Sequence, residues 1–360
     1  MNFGKKISAG IVAIAMMCAS PLGIQSAIAA QEATPAFPTD IVSEPREYDR
    51  TDWPEELNCG LFGGDDAEAA LESNAPLAQY LEDWLGIPVK YQTGTSYNAV
   101  IESMRAGHTN CGTVGSFSYI LAVEEAGAEA LAIGVSTRAE PAVYDPSITP
   151  AYFSIISVKK GSGITTIEDL RGKNFAFVDP ASTSGNLIPR AVLLEHGIDA
   201  DADMETIFAG SHATSGLALW EGKVDAAATT ETTLYNLAAE GQIDFCGFED
   251  GIVGKTRTAE EFQAVFDACP DGSVAMLAYS PPIPNAPFSV RSDLPESLKA
   301  AIKDALRSTP FNEEFVATTG RWYIDPNIDQ NLGLPHLDNY YDPLREVAKQ
   351  LDLDLKSFEG

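Results

Sequence analysis

Ser182, Thr183 and Ser184 stand side by side, followed at once by Gly185, in the stretch FVDPASTSGNLIPRAVL. Phe175, Phe177 and Val178 ahead of them read as a short strand. Leu187, Val192 and Leu193 behind them can share one helix face. The three hydroxyls therefore sit where a helix begins. A single Ser or Thr there is an ordinary cap for the free backbone N–H groups. Three of them with a glycine exceed what one cap requires, and the surplus hydroxyls and N–H groups suit an anion. A second stretch, AGSHATSG, again sets small and hydroxyl residues before a helical run at 216–220 and adds His212. Alone, His212 would serve a turn; beside the 182–184 cluster, a ligand role is the better account.

Catalytic constellations are not found. STSG approaches G-x-S-x-G without matching it, and a hydrolase using a Ser near His212 lacks both the elbow and a third triad member. There is no Walker loop, no complete G-x-G-x-x-G and no HExxH. Without CxxC, and with His108, His196 and His336 scattered, neither a metal nor another cofactor is expected. The formal net charge is −29, and excludes a nucleic-acid partner, which needs a basic face. Any anion must be held by short-range donors, since exposed charges are screened beyond about 8–10 Å at ordinary salt.

The elements that must position these residues follow a leader. Lys5 and Lys6, an apolar run from Ile11 and an A-x-A site at Ala27-Ile28-Ala29 make residues 1–29 a secretory signal peptide. Met17 before Cys18 fits a lipid-anchor site poorly, so a soluble exported, secreted or periplasmic protein is expected. Residues 30–54, rich in Pro, Glu, Thr and Asp, read as a leader or linker. Of the cysteines beyond the signal, Cys246 and Cys269 form the better disulfide, closing a polar insertion at 247–272. Cys59 and Cys111 can pair if their strands are neighbours. From Leu57 strands and helices alternate: LNCGLF, a helix in NAPLAQYLEDWLG capped by Asn74, VKYQ, YNAVIESMRAG, NCGTV and LAIGVS. A second round of similar size begins near Gly163. Alternation of this kind predicts an α/β fold of mostly parallel sheets flanked by helices. The chain passes between two lobes at YFSIISVKK and returns at SPPIPN. Residues 55–158 and 285–360 are assigned to the first lobe and 159–284 to the second. A cleft between lobes is a preferred ligand site.

FVDPASTSGNLIPRAVL, AGSHATSGLAL, GKVDAAAT and SPPIPNAPF, in that order, resemble the periplasmic phosphonate, phosphite and phosphate-binding proteins of ABC importers. The resemblance runs from about Leu57 to Leu351; the 247–272 insertion has no counterpart in it. It implies a two-lobed type II periplasmic-binding-protein architecture, a small phosphorus oxyanion as ligand, a membrane permease as partner, no enzymatic activity and a monomer. A sulfonate or a thiamine precursor is the alternative ligand of the same fold. Carried across, the resemblance makes Ser182, Thr183, Ser184 and His212 ligand groups and adds Tyr97, Ser116 and, at the crossover, Tyr152. Members that bind aminoalkyl phosphonates place an acid two residues after the I-P pair and another just after the VDAAAT strand. Here Asn285 and Ala286 follow the I-P pair, and Thr232 takes the second position beside Glu231. The resemblance therefore implies poor binding of a ligand carrying an ammonium group.

Overall fold

The computed structural model describes residues 41–64, 66–137, 139–248 and 256–355. The expected signal peptide, residues 30–40 of the leader and residues 249–255 of the insertion lie outside the described residues. The chain opens with β1 (Leu57–Phe62), α1 (Ala67–Leu85), β2 (Val89–Gly94), α2 (Tyr97–Arg105), β3 (Cys111–Thr113), α3 (Ser116–Ala126) and β4 (Ala128–Ser136). It crosses through β5 (Ala151–Tyr152) into β6 (Ser154–Lys159) and β7 (Asn174–Phe177). A π-helical turn (Thr183–Leu187) leads into α4 (Ile188–Glu195). There follow β8 (Glu205–Phe208), α5 (His212–Trp220), β9 (Ala226–Thr230), α6 (Glu231–Ala239), β10 (Phe245–Cys246), α7 (Ala259–Ala268) and β11 (Val274–Tyr279). The return runs through β12 (Ile283–Pro284) to β13 (Pro287–Arg291), α8 (Glu296–Ser308), α9 (Glu313–Thr319), β14 (Arg321–Ile324) and α10 (Asp342–Gln350).

The strands form one sheet in the order β14-β4-β13-β3-β1-β2 and another in the order β10-β11-β6-β9-β7-β8. In the first, β13 runs antiparallel to both its neighbours, and so does β6 in the second. Apart from these two and β14, the strands within each sheet share one direction. The strand that arrives through each crossing, β6 in the second lobe and β13 in the first, is thus reversed in its sheet, and in the first sheet β14 is reversed as well. The antiparallel pair β5–β12 ties the two crossings together, Ile283 opposite Tyr152. The expected lobe boundary after residue 158 needs correction: β6 pairs with β9 and β11 and buries Ile155, Ile156 and Val158 in the second lobe, so the crossing falls at 151–153.

Two further expectations change, and one helix appears that the sequence reading did not include. The helix expected to start at Asn74 starts at Ala67, capped by Asp66, whose Oδ1 accepts the N–H of Ala69 at 2.9 Å. Pro76 lies inside it and leaves Glu72 O without its ladder donor, while nearby Asn74 Nδ2 donates to Ala70 O and Arg321 donates to Ser73 O. α3 carries no amphipathic signature, since Ser116 to Ala122 are all buried. The last part of the leader is docked rather than loose. Tyr48 OH donates to Asp304 at 2.8 Å, Trp53 Nε1 donates to Ser297 Oγ at 2.9 Å, and both rings pack on the first-lobe core.

Two disulfides are present among the described residues. Cys59 and Cys111 face each other on adjacent strands, and Cys246 of β10 joins Cys269 at the end of α7. An apolar cluster bridges the lobes: Phe117 and Ile120 of α3 pack with Ala181, Leu187 and Ile188 of the second lobe and with Tyr341 and Val347 near the C-terminus.

Candidate functional site

The segment after β7 is fixed by its own polar groups. Asp179 Oδ1 accepts the N–H of Ala181 at 2.8 Å, and Ser182 Oγ accepts the N–H of Gly185 at 3.0 Å. Leu187 N donates to Ser182 O at 3.0 Å, the wide spacing of a π turn, a geometry frequent at functional sites. Gly185 is required sterically, because a Cβ there would lie 2.3 Å from Val178 Cβ. Packed this closely, the segment holds Ser182, Thr183 and Ser184 at 1–2% exposure.

The first lobe and the crossover meet it from the other side. At the start of α3, Phe117 N donates to Thr183 Oγ1 at 2.7 Å and Ser118 Oγ donates to Ala181 O at 2.7 Å. Ser154 Oγ donates to Ser184 O at 2.6 Å. The Tyr152 side chain lies near Thr183, Ser184 and Ser116, and the Tyr97 side chain near Ser182. Ser116 Oγ donates to Pro284 O in the return crossing. Six of the expected ligand residues, Tyr97, Ser116, Tyr152, Ser182, Thr183 and Ser184, are thus brought to one place.

Burial pushes both tyrosine hydroxyls well above the ordinary range, reinforced at Tyr97 by Tyr152 and Asp179. Both remain O–H groups at any physiological pH. Asp179 is itself buried, and burial raises its carboxyl, opposed by the N–H groups of Ala181 and Tyr97. Thr183 Oγ1 already accepts a backbone N–H, so its hydrogen is left to donate. Ser116 spends its hydrogen on Pro284 O, and the other five hydroxyls are neutral donors able to hold an oxyanion.

His212 opens α5, where Ser211 Oγ caps Thr214 N at 3.1 Å. Thr229 Oγ1 donates to His212 O at 3.2 Å and lies 3.4 Å from His212 Nδ1. His212 lines a cavity of about 320 Å³ shared by the lobes, with Phe62, Gly63 and Tyr97 on one side and Ser211 and Leu237 on the other. Of the six residues brought together above, Tyr97 is the one that lines this cavity with it. Glu231 is the first residue of α6 and is buried at 4% exposure. Asn285 is turned into the first lobe: its Nδ2 donates to Gly134 O at 2.9 Å, its N–H to Pro150 O, and its carbonyl accepts from Tyr341 OH. Nothing in the sequence points to Ser118 or Ser154, small buried residues within apolar runs, and Asp179 is legible only as part of the D-P pair.

A family model described as ABC transporter, phosphonate, periplasmic substrate-binding protein matches residues 62–325. The chain belongs to this family. It is 30% identical over 197 residues to the phosphate-import protein PhnD of Mycolicibacterium smegmatis, covering 52% of this chain and 59% of that protein. It is 27% identical over 253 residues to the phosphonates-binding periplasmic protein of Escherichia coli, covering 69% and 64%. The matches therefore span less than two thirds of either relative. Among solved structures, PhnD1 of Prochlorococcus marinus in complex with methylphosphonate has a TM-score of 0.61 at 15% identity, covering 83% of this chain and 99% of its own. The binding-protein component of an ABC phosphonate transporter from Pseudomonas aeruginosa has a TM-score of 0.59 at 19% identity, covering 82% and 96%. These two show the shared fold, the two-lobed type II periplasmic-binding architecture.

Proposed function

We propose that this family member captures a small phosphorus oxyanion between its lobes and hands it to the membrane permease of an importer. The observation that carries this is the convergence of six hydroxyl side chains, from both lobes and the crossover, on the π turn at 183–187. Relatives named for phosphate import and for phosphonate binding support it. The energetics suffice without a lysine or arginine. Hydrogen bonds to a charged group contribute about 1.5–3 kcal/mol each. Four to six exceed the roughly 8 kcal/mol of micromolar affinity and leave a margin for ordering the lobes. Export by the signal peptide without a lipid anchor, and action as a monomer without enzymatic turnover, complete the proposal.

Within this class, phosphite, phosphate or methylphosphonate binds better than 2-aminoethylphosphonate. An ammonium group in the cleft needs a carboxylate partner, because an unpaired buried cation is costly. Asn285 is neutral and bonded into the first lobe. Glu231 is the carboxylate that would reverse the order. Calorimetric titration with these four ligands and an alkanesulfonate tests the proposal. Heat of binding with the first three is the expected result. Preference for the sulfonate refutes the ligand class, and preference for 2-aminoethylphosphonate refutes the ranking and points to Glu231.

A further inference from the structure

Asn186 lies inside the π turn, directly after Gly185. It is buried at 5% exposure, and both ends of its side-chain amide are engaged. Nδ2 donates to Pro180 O at 2.7 Å, and Oδ1 accepts from Arg190 Nε at 2.7 Å. Arg190 stands on α4, its guanidinium carbon 4.5 Å from the centroid of the Phe177 ring and its Nη1 2.9 Å from a carboxylate oxygen of Asp201. One chain of contacts thus runs from Asp201 through Arg190 and Asn186 to Pro180. Ser182, Thr183 and Ser184 lie between the two points of the backbone that it joins, Pro180 and Asn186.

These contacts oppose rewinding of the turn. Leu187 N donates to Ser182 O and Ile188 N to Thr183 O, each reaching back five residues, where an α-helix reaches back four. Relaxation to the α form would rotate the residues ahead of the turn by roughly 100°, one residue's share of a helical turn. The hydroxyls at 182 and 183 would then leave their present directions. The bond from Asn186 to Arg190, four residues on, is ordinary helical spacing. The bond back to Pro180 O, across six residues, is not, and a side chain tied at both ends cannot follow the rotation without giving up one bond.

We propose that Asn186 and Arg190 are positioning residues for the oxyanion: together they hold residues 182–184 in the π geometry that aims their donors at the ligand. This rests on the oxyanion-binding function proposed above. Neither residue is assigned a contact with the ligand. Arg190 acts through the N–H it gives to Asn186, not through its charge, which faces Asp201.

The test uses the full-length protein and four variants: Asn186→Leu, Arg190→Met, Arg190→Gln and the double variant Asn186→Leu with Arg190→Met. Glutamine sets its amide nitrogen the same number of bonds from the backbone as arginine Nε, so it keeps the donor to Asn186 and drops the charge; methionine keeps the stem and donates nothing. Calorimetry with phosphite and methylphosphonate is run well below the melting midpoint of each ligand-free protein, so a change in fold stability alone does not alter the affinity read. Asn186→Leu is expected to weaken binding roughly tenfold and Arg190→Met about three- to tenfold, the scale of one or two net hydrogen bonds. Arg190→Gln is expected to bind within about twofold of wild type, and the double variant no more weakly than Asn186→Leu, because the two residues act as one unit. Where Asn186→Leu does not fold, the contrast between methionine and glutamine at position 190 decides. Arg190→Met at wild-type affinity, Arg190→Gln as weak as Arg190→Met, or losses that multiply in the double variant overturn the proposal. Failure of the wild type to bind any phosphorus oxyanion refutes instead the function on which it rests.

Discussion

Thr183→Val replaces a hydroxyl by a methyl of nearly the same shape at a residue 1% exposed. Two bonds are lost. Phe117 N, in a fully buried residue, now donates 2.7 Å to Thr183 Oγ1 and would lose that acceptor. Loss of the acceptor of a buried N–H costs about 1–3 kcal/mol. On the proposed function the Thr183 hydrogen also makes one charge-assisted bond to the oxyanion, worth about 1.5–3 kcal/mol. Because Phe117 belongs to the first lobe and Thr183 to the second, both losses weigh on the closed, liganded form. Allowing for partial relaxation, about 3 kcal/mol is expected, which at 1.4 kcal/mol per decade is a Kd raised by roughly a hundredfold. Thr183→Ser keeps the hydroxyl and gives up one methyl group, and should bind within about fivefold of wild type. Calorimetry with phosphite, phosphate and methylphosphonate measures both, and a thermal melt of the ligand-free proteins confirms that the core is intact. Binding of Thr183→Val within threefold of wild type would refute the assignment of this hydroxyl to the ligand and of its bond to lobe closure.

Gly185→Ala drives a Cβ to within 2.3 Å of Val178 Cβ, so the π turn must move; calorimetry should show loss of measurable oxyanion binding with secondary structure retained by circular dichroism. Cys246→Ser with Cys269→Ser opens a loop closed at a sequence separation of 23 and should cost about 3 kcal/mol of stability, read as a lower denaturation midpoint, while non-reducing peptide maps of the wild type show these two residues linked. The net charge of −29 repels an anionic ligand at long range, so association should quicken severalfold as salt is raised from about 10 mM, where the screening length is near 30 Å, to about 150 mM, where it is near 8 Å. Stopped-flow association rates that fall with added salt would indicate a cationic site instead.

The sequence was most legible where one residue type has one physical use. Three adjacent hydroxyls and a glycine between a strand and a helix marked the 182–185 segment, and the structure places that segment at the start of a buried π turn with its glycine pressed on Val178. Alternating elements revealed the α/β class because each amphipathic helix must cover a sheet face. What failed to show was whatever is buried on all sides. α3 has no polar face to give it a period, so the helix that delivers Ser116, Phe117 and Ser118 was hidden in an apolar run. β6 read as part of the first lobe because nothing local distinguishes a strand entering one sheet from a strand leaving another; its partners β9 and β11 lie over 60 residues further along the chain. Asp179 illustrates a third case. Its D-P context suggests a turn, and it does close one through the N–H of Ala181, but nothing local shows that its carboxylate is buried.

Neutral hydroxyls are a sound answer to an anion that carries a proton near neutral pH. Lysine and arginine only donate, so a site built from them meets every ligand oxygen as an acceptor and opposes a P–OH hydrogen. Serine, threonine and tyrosine each donate one hydrogen and also accept, and can turn to meet either form. Burial keeps Tyr97 and Tyr152 protonated, so none of the six hydroxyls loses its hydrogen to the surroundings. A sulfonate offers only acceptors and gains nothing from this freedom, whereas a phosphorus oxyanion can satisfy the accepting side of the ring as well. The same arrangement removes any need for a basic patch in a strongly acidic chain: with no fixed positive charge, capture depends on bringing short-range donors together from two lobes. On the proposed function the oxyanion is then held only while the lobes are closed, and opening them at the permease would suffice to release it.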